Sequence, residues 1–309
     1  MIAIVFPGQG SQRPGMGSDL FAHTPEARQV FEAVSEAIGA DVARLCFESD
    51  DETLRQTENA QIALYTCGVA AFRALGANAS IMAGHSVGEY AALACAEVIS
   101  VEDGARLVKR RGELMAVSGR DRPGTMAAVL GLERAALEAV CEEVPGICVV
   151  ANDNCPGQLV ISGDVNAVQA ASALASERGA KRVLPLNVSG AFHSPLMEEP
   201  AREMAIALRE VNYDDGSAAV YSNVTAQAVD DASQWPDLLE RQLKSPVLWA
   251  ESVFNMIDDG VTTFVECGSG EVLSGLIRRI DKSTPCLPVV DMATLKDTDT
   301  KIAETEDLG

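Results

Sequence analysis

A chain of 309 residues, 47% of them hydrophobic, is long enough for one large domain and a smaller one. Its net charge of −21 excludes nucleic acid and anionic membrane surfaces as partners, and an acidic protein could dock only through a local basic patch. The first apolar run, Ile2–Phe6, is too short for a signal peptide, and nothing approaches the ~18 apolar residues of a membrane span.

The eight cysteines include no Cys-x-x-Cys pair and sit mostly in apolar runs, which points to a reduced, cytoplasmic, metal-free protein. In chain order, Ile2–Phe6 reads as a strand ending in Pro7-Gly8-Gln9-Gly10. A helix follows from its N-cap Thr24 to Ala37, with Gly39 placed to stop it, and residues 60–75 form an apolar helix closed by Gly76. Ala79–Ala83 is a short buried strand, Glu89–Ala96 a helix, and Val101–Ala116 a helix capped by Ser100. Residues 117–123 read as a linker.

Beyond that point the order changes. Thr125–Leu130 is a strand, Glu133–Val144 a helix, and Ile147–Asn152 and Gln158–Ser162 are strands joined by a Pro156-Gly157 turn. Val165–Arg178 is then a helix and Arg182–Val188 a strand, completing a β-α-β-β-α-β unit. Alternation resumes with a helix at Pro195–Val211, a strand at Ala219–Asn223 and helices at Trp235–Leu243 and Ser252–Gly260. A strand at Thr262–Cys267 runs into Gly268-Ser269-Gly270 and a helix to Ile280, before a last strand at Cys286–Val290. The Thr-, Asp- and Glu-rich tail from Asp291 is expected to fray. The fold class is therefore α/β. An α/β-hydrolase-like large domain with a parallel sheet (1–123 and 189–309) carries an inserted ferredoxin-like domain (124–188).

Gly84-His85-Ser86-Val87-Gly88 sits between a strand and a helix, the context in which Gly-x-Ser-x-Gly exposes a nucleophilic serine. The plainer account is a tight turn with an N-capping serine. A serine nucleophile needs a base within reach, and the chain has three histidines. His23 precedes a helix cap and reads as a surface residue. His85 adjoins Ser86 and is better placed to brace the turn. His193, in a loop where the chain re-enters the large domain, remains as the base, against the alternative of a capping or core histidine. The N–H of Val87 and the Pro7–Gly10 loop would supply the oxyanion donors. The basic groups Lys109-Arg110-Arg111, Arg178 with Lys181-Arg182, and Arg278-Arg279 with Lys282 read most simply as solvated helix ends.

Six motifs occur in order: Pro7-Gly-Gln-Gly-Ser-Gln12, Gly84-His-Ser-Val-Gly-Glu-Tyr90, Arg111-Gly-x-Leu-Met115, Asn154-x-Pro-Gly-Gln-x-Val-Ile-Ser-Gly163, Gly190-Ala-Phe-His-Ser194 and Gln242-Leu-x-Ser-Pro-Val-x-Trp249. Together they resemble the malonyl-CoA:acyl carrier protein transacylases of bacterial fatty-acid synthesis, over about residues 3–280. The resemblance implies Ser86 as nucleophile and His193 as base, with Gln242 near the histidine and no acid needed to complete a triad. It further implies the Gln9 and Val87 N–H groups as oxyanion hole, Arg111 as clamp on the malonyl carboxylate, and Phe192 as a ring filling the space of an α-methyl group. The partners implied are malonyl-CoA and acyl carrier protein, with coenzyme A thioester as substrate, no cofactor, and a monomeric enzyme. Ala116 and Gly268-Ser269-Gly270-Glu271 depart from the family pattern. A discrete malonyl transferase of a polyketide pathway and a serine acyl hydrolase of the same fold are the competing readings. Arg111 separates the last, because a hydrolase of neutral acyl groups has no use for a buried cation.

Overall fold

Ile2–Phe6 (β1) is buried on both faces. Ala3 and Val5 pack with Ile81, Ala83, Tyr221 and Phe264, and Ile4 and Phe6 with Met82, Val265 and Cys267. Such a strand belongs in the middle of a parallel sheet covered on both sides. The computed structural model describes residues 1–188 and 190–306. Within them the remaining strands are β2 Ile81–Gly84, β3 Gly124–Leu130, β4 Cys148–Cys155, β5 Gln158–Asp164, β6 Arg182–Pro185, β7 Ala219–Tyr221, β8 Thr263–Cys267 and β9 Cys286–Val289. One sheet is parallel throughout, in the order β7-β2-β1-β8-β9. The other is antiparallel in the order β4-β5-β3-β6, the ferredoxin-like arrangement.

The helices before the second sheet are α1 Ser18–His23, α2 Pro25–Ile38, α3 Val42–Glu48, α4 Asp51–Arg55, α5 Thr57–Leu75, α6 Gly88–Cys95 and α7 Val101–Asp121. Within and after it come α8 Arg134–Glu143, α9 Val165–Glu177, α10 Glu198–Arg209, α11 Trp235–Gln242, α12 Trp249–Asp258, α13 Val272–Ile280 and α14 Met292–Glu306. Thr24 caps α2 by accepting from the Ala27 N–H, and Gly39 and Gly76 end α2 and α5 in the left-handed region.

Three expectations fail. The stretch 117–123 is not a linker, because α7 continues through it to Asp121. Gly119 alone costs a helix only about 1 kcal/mol, and Ser118 is buried against the large domain. The tail does not fray from Asp291. Asp291 Oδ1 accepts from the Thr294 N–H at 2.8 Å, Thr298 Oγ1 donates to Pro288 O at 2.9 Å, and Ile302 packs into the core. The last strand of the insert stops at Pro185; Leu186 still donates its N–H to Met126 O on β3 at 2.9 Å, while its side chain and that of Val188 pack on the larger core, and Ser189, in the re-entry loop, lies outside the described residues. The short helices α1, α3 and α4 were not foreseen.

Candidate active site

Parallel strands aim their carboxyl ends at one edge of the sheet, and that edge collects the candidate residues. β2 ends at Gly84 and α6 starts at Gly88, so the chain reverses within three residues. A Cβ on Gly84 would lie 1.9 Å from the Gly88 carbonyl carbon, and one on Gly88 would lie 2.2 Å from Phe6 O, so only glycine fits either position. Ser86 takes φ 54°, a left-handed conformation costing a non-glycine residue roughly 1–3 kcal/mol. Asn223, just past β7, holds it there. Its Oδ1 accepts from the Ser86 N–H and its Nδ2 donates to Gly84 O, both at 2.7 Å.

His193 reaches Ser86 from the re-entry loop, its Nε2 2.8 Å from Ser86 Oγ. Its Nδ1 is 2.8 Å from the backbone carbonyl oxygen of Gln242. A carbonyl only accepts, so Nδ1 carries the proton and Nε2 turns a lone pair to the serine. Burial, reinforced by the charge of Arg111, pushes His193 down to about 3 from the ordinary 6.5. The neutral ring thus contributes stability that is present above pH 6.5 and lost as pH falls through about 3. In ¹H–¹⁵N spectra the ring is expected to stay neutral, as the Nδ1–H tautomer, from about pH 8 to about 5; protonation near 6.5 would contradict the burial argument.

Arg111 lies in the middle of α7 and is 1% exposed, so it is no helix-end charge. Its Nη2 donates to Ser86 Oγ and to Gln242 Oε1, each at 3.0 Å, and its Nη1 donates to Gln61 Oε1 at 2.7 Å. Its guanidinium carbon lies 5.7 Å from the centre of the Tyr90 ring. Neighbouring Arg110 instead pairs at the surface with Glu203, and Arg178 of another basic group pairs with Glu143. Gln242 is fully buried, with Nε2 donating to Ser86 O at 2.9 Å and to Glu89 Oε2. Burial pushes Glu89 up to about 7, although Asn223, Gln242 and Arg111 all favour its charged form.

A cavity of about 300 Å³ opens over Ser86, lined by Gln9, Met115, Met126, Asn152, Phe192 and His193 among others. A wider recess of about 1060 Å³, by Met1, Arg73 and Ser80, lies at the amino ends of the strands, away from these groups. The Pro7–Gly10 loop packs directly on the elbow, where a Cβ on Gly8 would lie 2.6 Å from His85 O. Val87 is buried next to Ser86. His85 turns away from the serine, its Nε2 2.9 Å from Asn154 Oδ1 on β4, which ties the elbow to the inserted sheet. His23 is exposed and contacts Asp19.

The structure thus gathers Ser86, His193, Arg111 and Gln242, and sets Gln9 and Phe192 at the same cavity; Val87 is buried behind Ser86 and does not line it. Sequence reasoning gave no role to Gln61, Glu89 or Asn223. Only Glu89 carried a signal, its place in the first turn after the elbow. A serine hydroxyl facing a neutral imidazole beside a buried cation can attack an acyl carbon and hold an acyl group that bears a carboxylate.

Residues 3–298 match the family model described as acyl transferase domain. The chain is 41% identical over 301 residues to the malonyl CoA-acyl carrier protein transacylase of Bacillus subtilis, covering 96% of this chain and 95% of that one. It superposes on the crystal structure of malonyl-CoA:acyl carrier protein transacylase from Xanthomonas oryzae pv. oryzae with a TM-score of 0.94 at 40% identity, covering 97% and 98% of the two chains. A malonyl-transacylase solved in complex with its type II PKS acyl-carrier protein matches with a TM-score of 0.94 at 37% identity, over 97% of this chain and 99% of that one.

Proposed function

The chain belongs to the acyl transferase domain family, and we propose that it transfers the malonyl group of malonyl-CoA to the phosphopantetheine thiol of acyl carrier protein through a malonyl-Ser86 ester. One observation carries the choice of acyl group: a guanidinium buried 3.0 Å from Ser86 Oγ. A planar fork of donors fits a carboxylate with two parallel hydrogen bonds, which an acetyl or longer neutral chain cannot use.

In the first half-reaction Ser86 Oγ attacks the thioester carbon while its proton passes to His193 Nε2. The carbonyl oxygen gains charge facing the Gln9 and Val87 N–H groups. The carbon–sulfur bond then breaks, and coenzyme A takes the proton from His193 as it leaves. In the second, the carrier thiol gives its proton to His193, its sulfur attacks the ester carbon, the bond from that carbon to Ser86 Oγ breaks, and the departing oxygen takes the proton back from His193. The carbonyl of Gln242 holds the ring in the tautomer both halves need. The Phe192 ring lines the cavity over Ser86, which supports a preference for malonyl over methylmalonyl units, whose α-methyl group would compete for that space. These steps use a nucleophile, a base and oriented N–H donors, so no cofactor is required. We place the enzyme in the cytoplasm, acting as a monomer; no helix among the described residues is long and apolar enough to cross a membrane.

Intact-protein mass spectrometry after mixing with malonyl-CoA tests the proposal. Mass equal to one malonyl group is expected to appear, and to leave on addition of phosphopantetheinylated carrier protein. Rapid return to the free mass without carrier protein would identify a hydrolase instead.

A further inference from the structure

Glu89 is buried in the first turn of α6, directly behind the elbow, yet none of the steps above uses it. Its two oxygens serve two different segments. Oε1 accepts from the Asn223 N–H at 2.9 Å, and Oε2 accepts from Gln242 Nε2. The sense of the Gln242 amide follows. Glu89 Oε2 and Ser86 O both accept, so they hold its NH₂ end, which turns Oε1 to Arg111 Nη2 at 3.0 Å. A guanidinium can only donate, so a reversed amide would set donors against donors.

We propose that Glu89 is a positioning residue for malonyl transfer: it fixes the sense of the Gln242 amide and, through it, holds Arg111 beside Ser86 Oγ. The same Gln242 offers its backbone carbonyl to His193, and the Asn223 that Glu89 anchors holds the elbow at Gly84 O and the Ser86 N–H. An acid thus takes part in the site without touching the histidine, one residue removed from both the base and the cation. Glutamine at this position keeps the size of glutamate but has a single acceptor oxygen. It can serve the Asn223 N–H or Gln242, and its own NH₂ would face the other.

This inference rests on the malonyl-transfer reading. The test compares kcat/KM for malonyl-CoA and acetyl-CoA, with carrier protein as acceptor, in wild type, Glu89→Gln and Arg111→Ala. In Glu89→Gln the malonyl value is expected to fall about tenfold or more, as for other small displacements of a reacting group, and the acetyl value less. The malonyl-to-acetyl ratio then moves toward that of Arg111→Ala. In a Gln242→Leu background, Glu89→Gln is expected to leave the ratio where Gln242→Leu has put it. An unchanged ratio in the single variant, or a further fall in the double, overturns the inference. If Glu89→Gln does not fold, Glu89→Asp, which keeps the charge and draws the carboxylate back by one methylene, reads the same ratio. Wild type that forms no malonyl ester would instead overturn the reading itself.

Discussion

Ser86→Ala is expected to abolish the malonyl-enzyme altogether while leaving the fold in place. The substitution removes one oxygen from a cluster whose other bonds survive. Arg111 keeps Gln61 and Gln242 as acceptors, Asn223 still holds Gly84 O and the backbone N–H of position 86, and Gln242 Nε2 still holds its carbonyl. Alanine meets the same left-handed strain at φ 54° as serine, so thermal unfolding should move by only a few degrees. Intact-protein mass spectrometry with malonyl-CoA reads the result. Label on the Ser86→Ala protein would mean that another group is the nucleophile.

The second large effect belongs to His193. His193→Ala is expected to slow acylation by about 10²–10⁴, the range for a positioned general base. Its ring nitrogen is 2.8 Å from the serine oxygen, and burial keeps it neutral and able to accept a proton. The loss should appear in the single-turnover burst of coenzyme A release rather than in substrate binding. Because nucleophile and base act as a unit, Ser86→Ala combined with His193→Ala should be no slower than Ser86→Ala alone. A loss below tenfold in the single variant would shift the role elsewhere. His85, held by Asn154 with its ring against Trp249, is not oriented to take it.

The elbow was legible because everything that makes it is local: a strand, two glycines at fixed spacing, and a helix. His193 could be approached by elimination, since so few histidines compete. Arg111 differs, because nothing near it in the chain separates it from Arg110 one position earlier. One side chain is buried against Ser86 and the other pairs with Glu203 at the surface, a difference made by the packing of α7. That distinction came only from resemblance to a family. Asn223 and Gln61 were illegible for a similar reason. A polar residue after a strand or inside a helix is ordinary until elements 137 and 50 residues away close over it. The parallel sheet and the inserted antiparallel one followed from the order of strand and helix patterns. The course of residues 117–123 and the tail did not, since both turn on tertiary contacts that rescue weak helix formers.

The inserted sheet begins and ends at one spot. A Cβ on Gly124, where β3 starts, would lie 2.5 Å from Ala191 Cβ, two residues before His193. During synthesis the segment carrying Ser86 emerges long before the one carrying His193, and a chain of that length must be drawn into a loop before the two can meet. The insert closes that loop by folding on itself. Once β3 and β6 are paired, His193 returns to the sheet edge as if from a short turn. Loop-closure entropy rises by only about 0.6 kcal/mol for each doubling of length, so an insert of this geometry can lengthen or shrink with little effect on how the pair assembles. The same geometry makes the enzyme late to awaken: until the insert has left the ribosome and closed, a nascent chain holds a serine with no base beside it.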